Sequence, residues 1–185
     1  MAAAQTGRVI AYEANRIGDY DGLRIRTAAG EISLQFPPHT AEAVRQLGAV
    51  GQTVAVQAES LGKLPGNSPS PRLRLISLQN KQTGRQLRLA DLPPPSPETG
   101  KSIAIEEPLA GTWRDAEGRL VALRTTSYLI ALKPHQSEPI RAVLAGVKHI
   151  RVVGYERTAR GFVNRTGLRL VHPTALTINK QTFAF

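Results

Sequence analysis

Hydrophobic and polar positions alternate with a period of two along the first half of the chain, the pattern of strands with one buried face. Leu23, Ile25 and Thr27 alternate with Arg24 and Arg26, and Ile32, Leu34 and Phe36 share one side of the following stretch. The pattern predicts strands over 8–13, 23–27, 31–36, 53–59 and 72–78. Turn residues separate them: Gly18-Asp19-Tyr20-Asp21-Gly22, Ala28-Ala29-Gly30, and a polar loop from Lys63 to Pro71. After Pro37-Pro38 the apolar spacing becomes three, and Val44 and Leu47 fall on one face of a short helix. His39 or Thr40 is expected to cap that helix, with Glu42 near the positive end of its dipole.

The same pattern returns later in the chain. Pro38-His39 recurs as Pro134-His135, 96 residues on (134 − 38), and Gly22, Glu42, Arg45 and Ala49 meet Gly118, Glu138, Arg141 and Ala145 at that displacement. Leu73-Arg74-Leu75-Ile76 returns as Leu168-Arg169-Leu170-Val171, and Asn80-Lys81-Gln82-Thr83 returns unchanged as Asn179-Lys180-Gln181-Thr182. Matches that keep their order identify an internal duplication. Four prolines within residues 91–100 favour an extended connector between the copies. The expected organisation is a first domain over 1–90, a linker over 91–100 and a second domain over 101–185. In the second copy Ser137 or His135 is expected to cap the helix, with Pro139 tolerated in its first turn.

Three strands, a short helix and two strands follow the order of a five-stranded OB barrel. The expected fold is therefore all-β with short helices: two tandem five-stranded OB-like barrels. Gly18, Asp19, Asp21, Gly22 and Leu23, with Phe36, Pro37, Pro38 and His39, form a G-D-x-D-G-L turn and an F-P-P-H strand exit. In these the chain resembles a group of small bacterial OB-like proteins. The resemblance covers the first copy; the second departs from it at Arg114-Asp115-Ala116-Glu117-Gly118 and Leu132-Lys133-Pro134-His135. It implies a fold and no activity.

Composition narrows the chemistry. Cysteine is absent, which excludes disulfides, thiol nucleophiles and thiolate metal sites. No apolar run reaches the roughly 18 residues of a membrane span. Met1-Ala2-Ala3-Ala4-Gln5 lacks the basic and apolar parts of a signal peptide, so a cytoplasmic location is expected, with export as the alternative. His39 and His135 stand at strand-to-helix junctions, where capping or packing explains them. Asp19 and Asp21 are explained by turn formation. No nucleophile elbow, catalytic triad or phosphate-cradling glycine loop occurs, so no catalytic residue, metal ligand or cofactor is expected.

A formal charge of +10 favours an anionic partner. Opposite the core set of the first copy stand Arg8, Tyr12, Arg24, Arg26 and Gln35, with Arg72 and Arg74 extending the track. Cations with a ring available for stacking suit single-stranded DNA or RNA. The second copy carries Leu120, Ala122, Leu129 and Ala131 at the matching positions. A strand apolar on both faces is expected to be covered, by the first domain, the connector or a second chain. The leading expectation is a non-catalytic module binding a single-stranded nucleic acid or another polyanion. The alternative is a protein-interaction or homodimeric assembly module using the apolar face of the second barrel. The segment from Arg157 to Arg165, basic with Phe162 at its centre, reads either as a grip on phosphates or as a hairpin of no special role.

Overall fold

The structure, a computed structural model, describes residues 3–62, 73–95 and 100–185. Arg72, the loop Lys63 to Pro71 and residues 96–99 of the connector lie outside the described residues. The first unit contains β1 (Ala3–Ala14), β2 (Tyr20–Thr27), β3 (Gly30–Gln35), α1 (Ala41–Leu47), β4 (Thr53–Ser60), β5 (Leu73–Asn80) and β6 (Gln86–Arg88). β1 pairs antiparallel with both β2 and β4, β2 with β3, and β4 with β5. A short parallel pairing of β3 with β5, Leu34 beside Leu73 and Gln35 beside Arg74, closes the sheet into a five-stranded barrel. β6 is an addition the alternation did not predict; it extends the sheet beyond β5.

Closure requires that one side of every strand turn inward. Val9, Leu23, Ile25, Leu34, Val54, Val56, Leu75 and Leu78 fill the interior, and α1 adds Val44 and Leu47. A bulge between Val9 and Ala11 slips the alternation of β1 by one position. Tyr12 is therefore partly buried and packs against the interior cluster, not on the outer face where a strict period of two would put it.

The expected helix caps are absent. A 3₁₀ turn over Pro38–Thr40 leads into α1, so Thr40 already has helical angles and its side chain cannot reach forward; its hydroxyl donates to the Pro37 carbonyl at 2.7 Å. In the second unit α2 (Pro134–Arg141) starts at Pro134, which places His135 and Ser137 inside the helix and Pro139 beyond its first turn. Ser137 donates back to the Pro134 carbonyl, and Gln136 accepts the Lys133 amide at 2.8 Å.

The second unit repeats the plan with β7 (Ser102–Arg114), β8 (Leu120–Thr125), β9 (Tyr128–Ala131), β10 (His149–Glu156), β11 (Arg169–Ile178) and β12 (Gln181–Ala184). β7 pairs with β8 and β10, β10 with β11, and a parallel β9–β11 pairing closes the barrel. Leu120, Leu123, Ile130, Ile140, Val152, Val171 and Leu176 form its interior. The chain thus holds two closed five-stranded barrels in tandem with two short helices. The units do not divide cleanly in sequence. Arg160–Arg165 belongs to the first unit with Met1–Pro95, and the second comprises Ser96–Ala159 and Thr166–Phe185. Among the described residues no helix is long and apolar enough to cross a membrane.

Candidate nucleic-acid interface

Hairpin register builds the candidate face. Arg8 lies opposite Arg26, and Arg26 opposite Glu31, so three strands present one cross-strand row. Arg24 lies opposite Ser33 in the next row, and Gln35 beside Arg74 continues the surface across the closure. Arg8, Arg24, Arg26, Gln35 and Arg74 are all exposed. The structure brings these five together as the alternation predicted.

Tyr12 does not join them. Its hydroxyl donates to the Gly48 carbonyl at 2.6 Å, at the end of α1, and its ring meets Tyr20 and Phe36 edge-on. The Arg45 guanidinium lies 5.5 Å from the Tyr12 ring centre and 4.8 Å from that of Tyr20. Burial pushes the Tyr12 hydroxyl above its ordinary pKa, with the nearby Arg45 charge pulling the other way. Tyr12 pins the helix and offers no face to a base.

The face is also less positive than a count of arginines implies. Arg26 donates to Glu31 at 2.7 and 3.2 Å, and Arg24 stands 4.0 Å from the same carboxylate. The hydrogen bond from Arg26 is the main reason the Glu31 carboxyl is held below its usual range. Arg74 forms an ion pair with Glu59, and Ser33 donates to Glu13 at 3.2 Å. Arg8 donates to the Gly51 carbonyl at 3.0 Å. Sequence reasoning missed Glu31, although a signal existed: the turn at 28–30 fixes the register that sets it opposite Arg26. Glu59 could not be found that way, because its pairing with Arg74 spans the long β4–β5 connection.

A cleft of about 250 Å³ opens beside Arg74 and Gln35, lined also by Asp21, Phe36, Pro37 and Leu61. Burial raises the Asp21 carboxyl above its ordinary pKa, and the charges of Asp19 and Glu13 act in the same direction. The cleft offers a guanidinium, an amide and part of an aromatic ring within one recess.

In the second barrel Leu120, Ala122, Leu129 and Ala131 are 3, 0, 0 and 7% exposed. Leu120 belongs to the interior cluster, because β8 carries an extra residue, Val121, between the partners of Trp113 and Arg114, and this bulge shifts its alternation by one position. The other three lie outside that cluster and are nonetheless removed from solvent within the single chain. The basic segment, finally, is anchored: Gly161, Val163, Asn164 and Arg165 all make backbone or side-chain hydrogen bonds to residues 17–20 and 42 of the first unit. Phe162 sets its ring 6.3 Å from that of His39. No family model, no curated protein and no solved structure matches this chain.

Proposed function

We propose that the first barrel is a non-catalytic, OB-type binding module for single-stranded nucleic acid, held mainly through its phosphates. The observation that carries this reading is the cross-strand placement of Arg8, Arg24 and Arg26 on one exposed face, continued by Gln35 and Arg74. OB barrels take oligonucleotides on the face of their second and third strands, which is where Arg24, Arg26, Ser33 and Gln35 stand. The carboxylates on this face do not forbid it. Exposed ion pairs contribute only about 0–1 kcal/mol, so a phosphate can replace Glu31 or Glu59 at little cost. With Tyr12 committed to α1, base stacking contributes little, and the binding is electrostatic and weakly selective.

The test is fluorescence anisotropy of the full chain with fluorescein-labelled dT20 and U20 over a range of NaCl concentrations. Counterion release makes affinity fall steeply with salt, and the variant Arg24→Ala/Arg26→Ala binds more weakly with a shallower slope. Absence of binding to both probes at low salt overturns the reading.

A further inference from the structure

The cations best placed to meet phosphate are not those of β2 and β3. Lys81, Arg85 and Arg88 lie on the β5–β6 hairpin, are exposed, and have no carboxylate partner among the described residues. Register carries Lys81 and Arg88 onto the same outer surface as Arg8, and Arg85 is exposed in the turn immediately before Gln86. Arg8 pairs with Thr53, and the Lys81 amide bonds to the Thr53 carbonyl at 3.0 Å, which joins one edge row. The next outward row is Thr6, Ala55, Gln79 and Gln86; the one after is Ala4, Gln57, Ser77 and Arg88. These rows contain three cations, amides, hydroxyls and alanines, and no carboxylate, and Arg85 adds a fourth exposed cation in the adjoining turn. The row beyond Gln57 holds the Arg74–Glu59 ion pair, which bounds the face at that end. Four strands at about 4.8 Å spacing set Arg8 and β6 roughly 14 Å apart, enough to meet several phosphates of one strand.

The hairpin that supplies these cations is a specialisation of the first barrel. Asn80 is buried and its side chain is fully engaged: the oxygen accepts the Gln82 and Thr83 amides at 2.8 and 3.0 Å, and the nitrogen donates to Leu47 and Gln52. Gly84, at φ 72°, completes the wide turn and delivers Arg85. In the second barrel the same tetrapeptide makes a two-residue turn through Asn179 and Lys180, and β12 beyond it carries no cation.

We propose that the outer face of β1, β4, β5 and β6, with Arg8, Lys81 and Arg88 and with Arg85 in the adjoining turn, is a phosphodiester track and supplies more of the salt-dependent affinity than Arg24 and Arg26. This rests on the reading of the barrel as a nucleic-acid module and names the surface that does the binding. The experiment compares the full-length variants Lys81→Gln/Arg85→Gln/Arg88→Gln and Arg24→Ala/Arg26→Ala in the dT20 salt titration, with thermal melts to verify folding. Single strands give a slope near 0.7 per neutralised phosphate, so the hairpin variant is expected to lose about 2 units of slope, the other about 1. A hairpin variant that folds and binds like the parent, while the Arg24/Arg26 variant is weakened, overturns the track and leaves the functional reading standing. A parent chain that fails to bind overturns both. Should the triple variant fail to fold, the single variants Lys81→Gln and Arg88→Gln are measured instead, each expected to lower the slope by about 0.7.

Discussion

Asn164 donates through Nδ2 to Oδ1 of Asp19 at 2.9 Å, joining positions 145 residues apart within the first unit. The same nitrogen donates to the Ile17 carbonyl at 2.9 Å, and Asp19 and Asn164 form an isolated antiparallel bridge. The Tyr20 amide bonds to Val163, the Arg165 amide to Gly18, and Val163 packs on the interior cluster. Residues 160–165 thus complete the β1–β2 turn of a barrel to which they do not belong in sequence. Asp19 is 1% exposed, so its carboxylate depends on such partners for stability.

Asn164→Ala removes a hydrogen bond to a buried carboxylate. The expected cost is about 1.5–3 kcal/mol, read as a lowered urea midpoint with an unchanged m value. A midpoint equal to that of the parent chain contradicts a stabilising role for the segment.

Gly161→Ala tests the other end of the segment. Gly161 has φ 81°, and a Cβ there would collide with the His39 carbonyl oxygen, so the chain must move away. The Glu42 amide, which bonds to the Gly161 carbonyl at 3.0 Å, is expected to exchange its hydrogen faster, while Tyr20, held through Val163, changes less. Hydrogen exchange followed by NMR resolves the two amides.

Tyr12→Phe separates packing from binding. Loss of the hydroxyl that meets Gly48 at 2.6 Å is expected to cost about 0.5–1.5 kcal/mol of stability and to leave dT20 affinity unchanged. A loss of affinity without a loss of stability would return Tyr12 to the binding face.

Asp21→Asn carries a pH signature. The folded state raises the pKa of this carboxyl above its ordinary 3.8, so the protonated form is favoured by folding. Its stabilising contribution is full below the ordinary pKa and is lost as pH rises through the raised value. Asn mimics the protonated form. The variant is therefore expected to be more stable than the parent at about pH 7 and no more stable at about pH 3, as measured by urea unfolding at each pH.

Glu31→Gln shifts in the opposite sense. Its folded pKa is lowered, chiefly by the Arg26 hydrogen bond, so the pair is present above the ordinary carboxylate pKa and lost as pH falls through the lowered value. Removing the charge frees Arg24 and Arg26 at neutral pH. Affinity for dT20 is expected to rise by about two- to five-fold, the range of an exposed ion pair. An unchanged affinity would show that these two arginines do not meet the strand.

Much of the barrel was legible because period-two alternation is a local consequence of burying one face of a strand. Leu23, Ile25, Leu34, Val54 and Val56 all turn inward as expected. Tyr12 was misplaced because one extra residue in β1 moves the later residues of that strand to the opposite face, and no composition signal marks that residue. The candidate arginines were found by the same alternation, but their neutralisation by Glu31 and Glu59 depends on cross-strand register. Residues 160–165 carry no alternation at all. Their place is set by a few hydrogen bonds and one half-buried valine contributed from far along the chain.

The tetrapeptide Asn-Lys-Gln-Thr marks the boundary between the two kinds of information. In the sequence it marked the duplication, and its asparagine readily leaves extended structure and bonds to nearby backbone, so a turn follows the fifth strand of each copy. Which turn forms was settled in three dimensions. In the first barrel the Leu47 carbonyl and Gln52 capture the Asn80 amide and hold it buried, and Gly84 allows the chain to loop wide. In the second, Phe183 packs on the interior, the strand must return at once, and Asn179 and Lys180 take the left-handed conformation that a two-residue turn requires. Local propensity selects a turn; the partners available around a buried amide and the pull of one aromatic ring select its geometry.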